Sequence, residues 1–143
     1  IAEYLGRAPV FPDLAAAEAY LRFVSAPFRL STDAQWRHLT ETSLRPVDGG
    51  YTLHYDPAIA KPLAAQGALA GDIDIWPIYE AIRCPTLAVR GELSDLLDRD
   101  THQAMAERGP RAHLAEIPGV GHAPMLMDAS QIDVVRDFLI NLP

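Results

Sequence analysis

Apolar positions along this chain follow two different rhythms, and the change between them falls near residue 73. In the first stretch, Asp13 precedes Leu14, Ala17, Leu21 and Val24, a helical spacing with a side chain able to cap its first turn. Pro27 closes that predicted helix. Thr32 followed by Gln35 has the form of a capping box, opening a second helix with Trp36 and Leu39 inward and Pro46 as its terminator. Asp48-Gly49-Gly50 reads as a turn, Tyr51 to Tyr55 as a short strand or extended piece, and Asp56-Pro57 as the turn out of it. A loose helix is expected over Ala58 to Leu69 despite Pro62, and Ile1, Tyr4 and Leu5 form a helix-like start stopped by Gly6. Apart from the Tyr51 piece, the region shows no good strand run.

Beyond Ile73 the pattern alternates between strands and helices. Ile75 to Ile82 reads as helical, and Thr86-Leu87-Ala88-Val89 is an apolar run suited to a strand buried on both faces of a parallel sheet. Gly91 to Asp95 is the loop at its end. A helix follows over about Asp98 to Arg108, stopped by Gly109 and Pro110. His113 to Ile117 is a second strand, Pro118 to His122 its exit loop, and a final helix capped by Ser130 carries Ile132, Val135, Phe138 and Leu139 inward. The order strand, helix, strand, helix predicts two parallel strands joined by a right-handed crossover. Two such strands need neighbours to be stable.

Composition narrows the function classes. The chain has 143 residues, 49% of them hydrophobic, which is enough for a real core. A formal net charge of −7 argues against nucleic acid as a partner, because phosphate binding needs a basic face. No apolar stretch reaches the roughly 20 residues of a membrane helix and no signal peptide is visible, so the expectation is a cytoplasmic protein with no membrane partner. The single cysteine, Cys84, rules out an intrachain disulfide and is expected to be buried as a small hydrophobe. His38, His54, His102 and His113 share no metal spacing, so no metal is expected, and Asp72 and Asp74 read as a solvated turn. The chain starts at Ile1 without Met, which suggests sequence upstream.

In open parallel sheets, functional groups gather in loops at the carboxyl ends of strands. Asp95 stands in one such loop and His122 in the next. A carboxylate and an imidazole so placed can share the Nδ1 proton, which fixes the tautomer of a general base. Glu92 and Asp98 stand nearby as alternative acids, and Asp95 itself can serve as a helix cap.

The stretch Ile82-Arg83-Cys84-Pro85-Thr86-Leu87 through Gly91-Glu92-Leu93-Ser94-Asp95 resembles the penultimate strand and acid loop of the α/β-hydrolase family. Pro118-Gly119-Val120-Gly121-His122-Ala123-Pro124 is similar to that family's final histidine loop. The resemblance implies the fold class α/β: the C-terminal portion of an α/β-hydrolase parallel sheet, residues 73–143, preceded by a mainly helical cap, residues 1–72. It also implies catalytic roles for Asp95 as acid and His122 as base.

The family's nucleophile elbow, G-x-S-x-G, occurs nowhere here, and none of the five serines follows a strand with Gly on both sides. The expected partner is therefore an N-terminal half that carries the nucleophile, and the chain alone is expected to be inactive. The implied activity is hydrolysis of an ester or related acyl bond in a small apolar substrate, with no cofactor. Alternatives are a dehalogenase or epoxide hydrolase with an upstream Asp nucleophile, or a non-catalytic binding protein on the same fold. Trp36, Phe28, Tyr55 and Trp76 are candidate substrate-binding residues, since such pockets are mostly apolar.

Overall fold

A computed structural model of the chain describes residues 9–61 and 74–142. These form two compact units. One holds described residues 9–24 and 32–61; the other holds 25–31 and 74–142. The segment Ser25–Ser31, which the sequence places inside the cap region, thus packs with the second unit.

In the first unit, β1 (Val10–Phe11) leads through Asp13 into α1 (Leu14–Val24). The Asp13 carboxylate accepts from the Ala16 amide at 2.8 Å, and Ala17 and Leu21 fill the inner face. The capping box opens α2 (Asp33–Ser43) as the spacing predicts. Thr32 Oγ1 accepts from the Gln35 amide at 3.2 Å, and Gln35 Oε1 accepts from the Thr32 amide at 3.0 Å. Glu18 ties the two helices together by accepting from both Arg22 (2.8 Å) and Arg37 (3.0 Å). Those hydrogen bonds, Arg22 first, hold its carboxyl below the ordinary range. The Arg22 guanidinium also lies 5.3 Å over the Trp36 ring.

A strand does form at the Tyr51 piece, and it has two partners that the sequence reading does not expect. β2 (Leu44–Val47) and β3 (Gly50–Leu53) form an antiparallel hairpin around Asp48-Gly49, and β1 pairs on the other side of β3. Pro46 does not end a helix; it sits within β2, where an edge strand tolerates a residue with no N–H to donate. The expected helix over Ala58–Leu69 is described only at its start, a 3₁₀ turn at Pro57–Ile59, and lies outside the described residues beyond Lys61. The helix-like start at Ile1 and the acid Asp72 also lie outside them.

The second unit carries α3 (Trp76–Glu80), β4 (Leu87–Gly91), α4 (Arg99–Glu107), β5 (His113–Ile117) and α5 (Ala129–Ile140). β4 and β5 are parallel, paired from Leu87 with His113 to Gly91 with Ile117. Helix α4 is stitched to β4 by buried His102, whose Nε2 lies 3.0 Å from the Ala88 carbonyl and must donate to it. Asp128, not Ser130, occupies the N-cap position of α5. The stripe expected to face inward is only partly covered: Ile132 and Leu139 are exposed, while Gln131 is buried and accepts from the Leu126 amide at 2.9 Å. Cys84 is exposed, because the chain enters the sheet only at Leu87.

Replacing Thr32 with Ala removes one half of the capping box and is expected to destabilise the first unit by about 1 kcal/mol. Denaturant unfolding of the variant checks this, with an unchanged midpoint as the contrary result.

Candidate active site

Both functional loops of the second unit leave the sheet at the carboxyl ends of its parallel strands, residues 92–98 after β4 and residues 118–124 after β5. The two strands end close together because their last residues allow it. A Cβ on Gly91 would run into the carbonyls of Val120 and Gly121. The loops are then joined by backbone and side-chain hydrogen bonds. The Glu92 amide donates to Ile117 O (2.9 Å), the Leu93 amide to Val120 O (2.9 Å), and the Gly119 amide to the Glu92 carboxylate (2.7 Å).

Arg90 organises the first loop from beneath. It is a buried cation in an otherwise apolar strand, paired with Glu116 on β5 at 2.7 Å. Its guanidinium donates to Leu97 O (2.7 Å) and Glu92 O (3.1 Å), with Ser94 O at 3.5 Å. A buried charge of this kind requires its partners, so the loop path and the ion pair stand or fall together. Sequence reading passed over Arg90, although a lone cation within a buried run signals an organising role.

His122 projects from the second loop, exposed, with Nδ1 3.5 Å from Ser94 Oγ. That is the outer limit of a hydrogen bond. Ser94 Oγ also accepts from the Leu97 amide at 3.0 Å, which fixes the hydroxyl in the turn. With the proton on Nδ1, Ser94 accepts it and Nε2 keeps its lone pair, the tautomer a general base needs.

Asp95 is the next residue along, exposed, and among the described residues no hydrogen bond joins it to His122. Of the alternative acids, Asp98 is the N-cap of α4, its carboxylate accepting from the Thr101 amide at 2.6 Å, and Glu92 holds Gly119. In the sequence Ser94 reads only as part of the acid loop; its contact with the imidazole depends on a turn that no local pattern reveals.

Of the four apolar candidates, two lie in each unit. Trp36 is buried in the core of the first unit, and Tyr55, half-buried, follows β3 of that unit. Trp76 packs under Arg108 (4.0 Å) and edge-on to Tyr79, whose hydroxyl donates to Met105 O at 2.6 Å. These contacts place Trp76 at the C-terminal end of α4, which is the opposite end of the sheet from the His122 loop. Phe28 ends a short 3₁₀ turn whose preceding residue, Pro27, accepts from the Gly121 amide at 2.8 Å. Within the second unit, Phe28 is thereby tied to the histidine loop. Among the described residues, no cluster of three or more His, Cys, Asp or Glu is arranged to hold a metal, and no helix is long and apolar enough to cross a membrane.

The chain is similar to known proteins over nearly its whole length. The chain is 40% identical over 145 residues to the 3-hydroxybutyrate-oligomer hydrolase of Cupriavidus necator, covering 96% of this chain and 50% of that protein. A solved α/β hydrolase from Novosphingobium aromaticivorans superposes with a TM-score of 0.80 at 30% identity, covering 96% of this chain and 49% of that one. The chain belongs to the α/β-hydrolase family. A crystal structure of a protein from Rickettsia typhi gives a TM-score of 0.85 at 30% identity, over 99% of this chain and 47% of that one. No family model matches the chain. This α/β-hydrolase chain spans about half the length of these relatives, and it matches their C-terminal portion.

Asp98 generates a pH dependence. Its carboxyl is held below the ordinary range, first by the Thr101 amide and then by the Thr101 hydroxyl. A depressed folded pKa gives stability that is present above the unfolded value near pH 4 and is lost as pH falls through the lower folded value. Unfolding midpoints measured from pH 6 down to pH 2 should therefore drop less steeply for Asp98→Asn than for the wild type. Equal slopes would show that the cap carries no such linkage.

Proposed function

We propose that this chain contributes the histidine and the acid of a nucleophile–His–acid triad to a hydrolase that cleaves an ester bond in a small, fairly apolar substrate. The observation that carries this reading is the placement of His122 at a strand's carboxyl end, with Nδ1 toward the loop after β4. The hydrolase character of the Cupriavidus relative, whose named substrate is an oligomer of 3-hydroxybutyrate, supports an ester as the bond attacked.

The nucleophile, by this reading a serine on residues outside this chain, loses its proton to His122 Nε2 as its oxygen adds to the ester carbonyl carbon. The tetrahedral intermediate collapses, the ester C–O bond breaks, and His122 returns the proton to the departing alkoxide. A water then repeats the sequence to release the acid. Ser94 holds the Nδ1 side of the ring during these transfers. Asp95, one residue further along the loop, supplies the negative charge that stabilises the imidazolium, the role for which its exposed position beside Ser94 suits it. The chain by itself, lacking the elbow motif, is inactive on this account.

In the enzyme that joins this chain to its nucleophile, His122→Ala should lower kcat on a 3-hydroxybutyrate dimer by about a thousandfold or more. Asp95→Asn should cost about a hundredfold or more and Ser94→Ala nearer tenfold, since the first removes charge and the second only a neutral contact. Steady-state kinetics with circular dichroism as a folding control decides. Retention of most activity in His122→Ala would contradict the proposal, and a larger loss in Ser94→Ala than in Asp95→Asn would move the acid away from Asp95.

A further inference from the structure

A cavity of about 350 Å³ opens beside the histidine loop, lined by Ala26, Pro27, Arg29, Leu93 and Gly121. Its lining side chains are apolar apart from that of Arg29, which is exposed. Among the described residues the Arg29 guanidinium makes no ion pair or hydrogen bond, as is also true of those of Arg45 and Arg111, whereas Arg22, Arg37, Arg90, Arg99, Arg108 and Arg136 are engaged with carboxylates. Arg29 thus sets one cation among the otherwise apolar side chains that line a concavity, a composition typical of sites that bind a small molecule by one charged end.

The cavity is tied to the proposed catalytic groups through the backbone. Gly121, one of its walls, immediately precedes His122, and Leu93, another, immediately precedes Ser94. The Gly121 amide donates to Pro27 O at 2.8 Å, and a Cβ on Gly121 would press to 2.9 Å on both the Pro27 ring and its carbonyl. The Arg29 segment is therefore held against the histidine loop at a distance that no side chain at residue 121 permits. Arg29 itself has φ 54° and ψ 41°, and its amide closes the 3₁₀ turn onto Ala26 O at 3.2 Å. A left-handed backbone on a non-glycine residue is uncommon and persists where its surroundings hold it.

We propose that Arg29 binds the free carboxylate of the substrate, so that the enzyme acts on short esters that end in a carboxylic acid. The inference rests on the hydrolase reading above and adds to it a recognition element. A guanidinium accepts a carboxylate through two parallel N–H donors, which fixes orientation as well as adding affinity. In an ester built of 3-hydroxy acids, three atoms separate the terminal carboxylate from the adjacent ester carbonyl, so a carboxylate in the cavity leaves that carbonyl next to the loop bearing His122. A local cation matters here because the chain's net charge of −7 disfavours anionic ligands at long range.

The test compares two substrates in the enzyme that joins this chain to its nucleophile: the 3-hydroxybutyrate dimer with a free carboxylate, and its neutral methyl ester. Wild type should favour the acid in kcat/KM. Arg29→Met should lower the acid-to-methyl-ester ratio at least tenfold, mainly through KM, and should weaken product inhibition by 3-hydroxybutyrate. Arg29→Lys should restore part of the ratio. An Arg29→Met variant with an unchanged ratio, or with both substrates slowed equally, would overturn the inference. His122→Ala assayed on the methyl ester separates the two proposals: turnover surviving that change sinks the hydrolytic reading itself, while turnover lost with the ratio unmoved by Arg29→Met sinks only the carboxylate site.

Discussion

Where β4 ends, the backbone of Gly91 passes so close to Val120 and Gly121 that there is no room for a methyl group. The rest of the site depends on this approach. It lets the Glu92 and Leu93 amides reach Ile117 O and Val120 O, so that two loops separate in sequence behave as one platform. Beneath the platform, Arg90 supplies the donors that the turning chain would otherwise leave unmet, and Glu116 neutralises it. Burying a cation is costly, and four partners for one guanidinium is what makes the burial tolerable. Such a base holds His122 at a given height above the sheet without a single contact to the imidazole itself.

A second constraint comes from the sheet. Among the described residues the parallel sheet has two strands, and the last helix leaves apolar surface exposed at Ile132, Leu139 and Ile140. This agrees with a chain that matches about half of each relative. The first unit meets its own needs differently, closing a small antiparallel sheet and two helices around Phe11, Ala17, Leu21, Trp36 and Leu39.

Much of this was legible in the residues. The capping box at Thr32 and Gln35, the Asp48-Gly49 turn and the strand His113–Ile117 appear where local chemistry puts them, because each depends on neighbours in sequence. The family followed from two loop motifs in the right order. What stayed hidden depends on distant partners. β1 and β2 are too short to show alternation and exist because β3 lies between them. Pro46 reads as a helix stop until its edge position is known. Ser94 rather than Asp95 meets the imidazole because Arg90 and the loop amides set the turn, and Trp76 is drawn to the far end of the sheet by Arg108. Arg29 gave no sequence signal at all; only the folded turn brings it to a cavity beside Gly121.

The loop platform is tested most directly by adding one methyl group at its tightest point. Gly91→Ala, in the enzyme completed by its nucleophile, should lose about a hundredfold or more in kcat while the protein remains folded, because the histidine loop must lift away from its partner. A Gly91→Ala enzyme that turns over at the wild-type rate with an unchanged unfolding midpoint would contradict the account.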